Sequence, residues 1–303
     1  MNKEEEIKKS LLLRDRVLKV LSKDGHYRVV CVKNSKTAFT AQNNHNLDSV
    51  PAIWMARMLS GATLAAALLK GEERVTLEVD GNGQISKIFA EAMQTGEVRG
   101  FMQTKDPSGN INLDKVEDLL GIGLLRFTKI LYNKAEPVQG VVHLQTGDIT
   151  TDLTYYYQQS EQIPTAIILD CKMTDEGIVS QSGGLMIQVM PGYSDAQLLD
   201  LYESINSLKS LTDYFEDGLN PLQCLKEILP FEFDVLSSTP VDFFCRCSKE
   251  NFISKLMTLG KDEIIDMERK NHNEIICQYC NKHYYLTASD FKTLTTELIA
   301  KNN

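Results

Sequence analysis

Four cysteines crowded near the C-terminal end constrain this chain more than any other feature. They read Cys245-Arg-Cys247, then 29 residues, then Cys277-Gln-Tyr-Cys280. Two thiol pairs at short spacing, brought together by an intervening fold, suit a tetrahedral Zn2+ site with one ion per chain. A domain of about 60 residues has too little core to be securely stable. Metal binding would therefore supply folding energy to a small C-terminal domain. His272 and His283 flank the second pair. Four cysteines already fill a closed site, so both imidazoles are expected outside the ligand set.

The residues alone leave two roles open for such a centre, a structural knob and a thiol switch. Zinc holds its sulfurs as thiolates, the form that reacts with oxidants. Each cysteine also has a near neighbour with which it could form a disulfide. A CxC bridge closes a very small ring, and its strain raises the reduction potential, so it would stay reduced in normal cytosol. Bridging would expel the metal and remove the energy that folds the domain.

The remaining sequence excludes several function classes. The chain has 303 residues, 43% hydrophobic and 24% charged, with a net charge of −9. Those are the proportions of an ordinary soluble protein. The negative balance argues against a nucleic-acid partner, whose phosphates call for a basic field. The opening MNKEEEIKKS is charged with no apolar core behind it, and the most apolar stretch, Ser60–Leu69, is too short to span a bilayer. A cytoplasmic protein without membrane association is expected. Seven cysteines, an odd number, do not suggest a secreted disulfide framework. Cys31, Cys171 and Cys224 fall in apolar patterns and read as core residues.

Periodicity predicts an α+β class with three parts: an N-terminal mixed sheet and helix domain over 1–192, a helical acidic linker over 193–240, and the zinc domain over 241–303. Leu12, Leu13, Val17, Leu18 and Leu21 recur at roughly helical spacing within residues 1–24. His26–Val32 reads as a strand, and a helix is expected from about Asp48 to Leu69. Arg74–Asp80 and Gln84–Ala92 form a hairpin about Asp80-Gly81-Asn82-Gly83. Gly96–Gln103, Val138–Leu144, Thr165–Met173 and Gly184–Met190 add strands, and Asp148–Gln159 adds a helix. Between Tyr193 and Asp242 stand ten acids and two bases. That stretch reads as a linker of marginal helices with an apolar face from Leu198, Leu201, Tyr202, Ile205 and Leu208, and from the residues alone two readings stay open, a solvated helical spacer and a near-threshold cover for the N-terminal sheet.

At this point the residues closely resemble a known family. The run FFCRCSKENFISKLMTLGKDEIIDMERKNHNEIICQYCNKHYYL, with its CxC, its Leu259-Gly260-Lys261-Asp262-Glu263, its CxxC and the tyrosine that follows, resembles the zinc domain of the 33 kDa chaperonins. GATLAAALLKGEERVTLEVDGNGQISKIFAEA, GEVRGF, LTYYYQQSEQIPTA and SGGLMIQVMPG resemble their N-terminal part, in the expected order over nearly the whole chain. The Lys270–Glu274 turn is bulkier and more polar than the small-residue turn expected. The resemblance implies a redox-regulated, ATP-independent holdase rather than an enzyme. It implies Cys245, Cys247, Cys277 and Cys280 as zinc ligands in an inactive reduced form. It further implies that oxidation pairs Cys245 with Cys247 and Cys277 with Cys280, releases zinc, unfolds the zinc domain and linker, and yields a homodimer that binds unfolding client proteins.

Weaker signals point to structure. Gly121-Ile-Gly123-Leu-Leu-Arg126 lacks the third glycine of a dinucleotide fingerprint and reads as a turn. Asp148 and Asp152 lie one helical turn apart and read as a capped, solvated helix rather than an acid–base pair. Two rival classes are a zinc-ribbon nucleic-acid factor, which needs a basic face, and a zinc-stabilised enzyme, which needs convergent polar groups in the N-terminal domain.

Overall fold

The computed structural model describes residues 14–106, 111, 119–192, 199, 205 and 209–301. The chain divides into two compact units, Met1–Phe244 and Cys245–Asn303.

The first unit opens with strands β1 (Arg16–Ser22) and β2 (Tyr27–Lys33) and helices α1 (Ser35–His45) and α2 (Ser49–Ala66). Strands β3 (Arg74–Gly81), β4 (Ile85–Met93), β5 (Glu97–Thr104), β6 (Gly123–Ile130) and β7 (Val138–His143) follow. Helix α3 (Ile149–Tyr156) leads to β8 (Thr165–Met173) and β9 (Val179–Val189). The acidic stretch supplies α4 (Leu211–Glu216), α5 (Pro221–Ile228) and β10 (Phe233–Pro240), and β11 (Asp242–Phe243) closes the unit. One sheet has the order β10-β1-β2-β9-β8 and a second the order β11-β5-β4-β3-β6-β7. Every pairing is antiparallel except β11 with β5.

Helix α2 is apolar on nearly all sides, as a helix must be to lie inside a core. Met55, Met58, Leu59, Ala62 and Leu64 are buried among Val75, Leu77 and Ile88 of the second sheet and Val30, Leu169 and Met186 of the first. Close approach requires missing side chains. A Cβ on Gly184 would lie 2.9 Å from both Leu64 and Leu169. A Cβ on the neighbouring Gly183 would lie 2.4 Å from the Phe215 ring. Successive residues of a strand face opposite ways, so this glycine pair thins β9 for α2 on one face and for α4 on the other.

The outer face of the first sheet is thus covered by the acidic stretch. Leu211, Phe215, Cys224, Leu225, Ile228 and Leu229 are buried against Leu18, Val20, Val29, Cys31, Leu185 and Ile187. Phe231 stacks on Tyr27 with ring centroids 4.9 Å apart. The buried set in α5, Pro221, Cys224, Leu225 and Ile228, is one helical stripe. Asn220 and Gln223 form a capping box at its start, with Pro221 in the first turn. Docking is also polar: the Asp170 carboxylate accepts from Ser210 Oγ at 3.0 Å and from the Leu211 amide at 2.7 Å. Lys172 pairs with Asp213 and Glu216.

Three expectations are corrected. The helical pattern of residues 1–24 is strand β1 over Arg16–Ser22, because its apolar residues serve pairing with β2 and β10; residues 1–13 lie outside the described residues. The last part of the expected helical linker, Phe233–Pro240, is a strand that pairs Arg16↔Pro240 through Ser22↔Phe233. Leu119 and Leu120 form a turn and Ile122 a bend, but Gly123–Ile130 continues as β6 beside β3. Of the apolar face expected at Leu198–Leu208, Leu198, Leu201, Tyr202 and Leu208 lie outside the described residues. No helix among the described residues is long and apolar enough to cross a membrane.

The second unit contains α6 (Lys249–Leu256), α7 (Lys261–Arg269), the hairpin β12 (Glu274–Ile276) and β13 (His283–Tyr285), and α8 (Ala288–Lys301). Ile264, Leu286, Phe291, Leu294 and Leu298 form its small buried core. The polar turn after α7 is accommodated by a left-handed Asn271, φ 58°, a conformation asparagine tolerates.

Candidate metal centre

The cysteines arrive on two short segments of chain. Cys245 and Cys247 lie on irregular chain just ahead of α6. Ser248 caps that helix by accepting from the Asn251 amide, and the Asn251 side chain donates back to the Arg246 carbonyl at 3.2 Å. Cys277 and Cys280 sit in the loop of the β12–β13 hairpin. The Cys277 amide donates to the Lys282 carbonyl at 2.9 Å, and Asn281, left-handed at φ 55°, donates to the Cys277 carbonyl at 2.7 Å.

The four sulfurs converge to within 4.8 Å of one another. Cys245 and Cys277 Sγ are 3.7 Å apart, and Cys247 and Cys280 Sγ are 3.4 Å apart. Cys277 is buried and the other three are partly buried. Burial pushes the Cys245 and Cys280 thiols above their ordinary range. Desolvation also opposes ionisation of Cys247, but hydrogen bonds from Tyr284 and the neighbouring thiols outweigh it and hold that thiol low. Four thiolates this close repel one another strongly, so all four ionise together only around a cation. The set is that of a thiophilic metal ion.

Tyr284 has a role that spacing did not assign. Its hydroxyl lies 3.2 Å from Cys247 Sγ and donates to the Cys247 carbonyl at 3.1 Å. Its ring is 5.5 Å from that of Phe252. Strand alternation was the available signal, since Tyr284 lies opposite the half-buried Ile275 whereas Tyr285 faces outward to Glu274. His283 is exposed and pairs through Nδ1 with Glu274 at 2.7 Å, and neither histidine joins the sulfur cluster.

The other polar residues weighed from the sequence are structural. Asp148 caps α3 by accepting from the Thr151 amide and pairs with Arg57 at 2.7 Å. Asp152 is fully buried rather than solvated and accepts from the Gln145 and Thr146 amides. Cys31 and Cys224 are buried on facing sides of the contact between β2 and α5. Cys171 is partly exposed on β8, and burial pushes its thiol up to about 12.

A mixed α+β unit followed by a small unit built around four converging cysteines defines a metal-site protein of two parts. A family model described as Hsp33 protein matches residues 15–287, and the chain belongs to the Hsp33 family of chaperones. It is 31% identical over 293 residues to a 33 kDa chaperonin of Staphylococcus aureus (strain Newman), covering 95% of this chain and all of that one. It is 29% identical over 296 residues to a 33 kDa chaperonin of Geobacillus sp. (strain WCH70), covering 96% and 100%. The crystal structure of the 33 kDa chaperonin from Thermotoga maritima matches with a TM-score of 0.84 at 25% identity, over 95% of this chain and 99% of that one.

Proposed function

We propose that this chaperone is a cytosolic, ATP-independent holdase kept silent by a reduced zinc centre at Cys245, Cys247, Cys277 and Cys280 and switched on by its oxidation. The observation that carries the reading is the convergence of those four sulfurs in a unit with so small a core. Donors placed tetrahedrally at about 2.3 Å from an ion are roughly 3.8 Å from one another, which matches the 3.7 Å and 3.4 Å separations. Bound zinc supplies charge neutralisation for four thiolates and a cross-link between the Cys245–Cys247 segment and the hairpin loop.

The protein's part is to release that cross-link under peroxide. A thiolate attacks the O–O bond and becomes a sulfenic acid. Its partner thiol then displaces the hydroxyl to form the S–S bond. Each bridge uses one peroxide and yields two waters. Pairing Cys245 with Cys247 and Cys277 with Cys280 removes all four donors, so the second unit loses the metal contribution to its folding. The acidic stretch, with ten acids against two bases from Tyr193 to Asp242, then leaves the outer face of the first sheet. Leu18, Val20, Val29, Leu185 and Ile187 become an apolar surface for unfolding clients and for a second copy of the chain. The protein acts by binding and turns nothing over.

Light scattering from a thermally unfolding test protein checks this. The peroxide-treated form should suppress aggregation, and the reduced zinc-loaded form should not, with reductant restoring silence. Equal inactivity of both forms would return the centre to a structural role.

A further inference from the structure

Two cysteines outside the zinc centre face each other across the contact that activation is proposed to break. Cys31 lies on β2 and Cys224 on α5, both 0% exposed and both in the cluster that seals the acidic stretch to the sheet. Helix α5 packs directly on β2, and the Cys224 side chain is the strongest influence on the Cys31 thiol, so the two thiols are neighbours within that contact. The other buried members of that cluster are aliphatic or aromatic. While the stretch is docked, no oxidant reaches either sulfur, and desolvation together with the Cys224 contact makes the Cys31 thiol harder to ionise.

We propose that Cys31 and Cys224 form a second thiol switch of opposite sign, a latch whose disulfide locks the acidic stretch onto the sheet. The inference rests on the holdase reading for when the latch closes. Oxidation of the zinc centre frees the stretch and exposes both thiols. Peroxide converts one thiolate to a sulfenic acid, releasing hydroxide that takes up a proton. When α5 returns to β2, the other thiol attacks that sulfur, the S–O bond breaks, and the hydroxyl leaves with the thiol's proton as water as the S–S bond forms. The product is oxidised at both sites yet has its client surface covered. Prolonged oxidation thus ends activity that brief oxidation begins, and a dithiol reductant reopens the latch by exchange.

The test uses the full chain in two backgrounds, wild type and a variant with Cys245, Cys247, Cys277 and Cys280 all changed to serine. Each is treated with hydrogen peroxide, alkylated, digested without reductant and searched by mass spectrometry for the peptide pair joining Cys31 to Cys224. Proteolytic cleavage within residues 193–232 is timed alongside. The joined peptides are expected in both backgrounds, late in wild type and early in the serine variant. Cleavage in the bridged form should slow by about tenfold or more, since the cross-link removes the open states. Cys224→Ala or Cys31→Ala in the serine background should leave cleavage fast after oxidation. Joined peptides that pair Cys171 instead, no joined peptides at all, or a bridged form cleaved as fast as the reduced one would overturn the latch. Bridging with slowed cleavage in a protein that never suppresses aggregation would uphold the latch and overturn the holdase reading.

Discussion

The contact that holds the acidic stretch down can be weakened at one ring. Phe215 is 1% exposed and lies over Gly183, with Lys33 Nζ 5.5 Å from its centroid. Truncation of such a ring, Phe215→Ala, costs about 3–5 kcal/mol. Because Gly183 offers no side chain to fill the gap, collapse there is limited and the upper part of that range applies. Even about 3 kcal/mol shifts the ratio of docked to released stretch by more than a hundredfold. Local release has a smaller free energy than global unfolding. Hydrogen exchange of the amides of residues 211–228 in the reduced, zinc-loaded protein should therefore accelerate by about a hundredfold, while amides of α2 keep their protection. The same sample should suppress aggregation without oxidant. Phe215→Leu, which keeps most of the volume, should shift exchange by about tenfold or less. Protection of residues 211–228 unchanged within threefold in Phe215→Ala would refute the idea that this ring holds the stretch, and with it the covering role given to the first sheet's outer face.

Three further outcomes are expected. Cys277→Ser should abolish tight zinc binding, read by competition with a chromogenic chelator, and leave residues 245–303 protease-sensitive even when reduced. Tyr284→Phe removes the hydroxyl from Cys247 and should weaken zinc about tenfold, with faster loss of metal to peroxide at equal concentration. Lys172→Ala should loosen α4 by severalfold at most in hydrogen exchange, since exposed pairs are weak and screened by salt; added salt should loosen wild type in the same direction and the variant less, through the remaining Lys209–Asp217 pair.

The convergence of the four cysteines was legible because cysteine pairs at short spacing carry their meaning in the residues themselves. Tyr284 was not, since its contact with Cys247 depends on which way a three-residue strand faces. The β3–β4 hairpin announced itself through alternation and a glycine-rich turn. Helix α1 was missed because it buries Thr37, Ala38, Ala41 and Gln42, residues too small or polar to mark a face. Strand β1 shows leucines and valines whose spacing satisfies a helix as well as a strand, and only pairing with β2 and the distant β10 decides between them. Strand β10 leaves Val235 and Leu236 half-exposed, so its local pattern gives no period at all. What failed to show was pairing between residues far apart in the chain, which no local window contains.

The placement of β10 also determines how the covering stretch moves. The covering segment that carries α4 and α5 is bounded by β9 on one side and β10 on the other, both strands of the sheet it covers. It is a strap buckled at both ends rather than an arm swinging from one hinge. In the switch proposed above, its departure would bare the sheet without letting the helices diffuse away, so they would remain at high effective concentration for their own docking site. A client would then compete with a permanently tethered rival. Refolding of the second unit would tip the balance back to the strap without any search through solution, and release of the client would be built into the way the sheet is threaded.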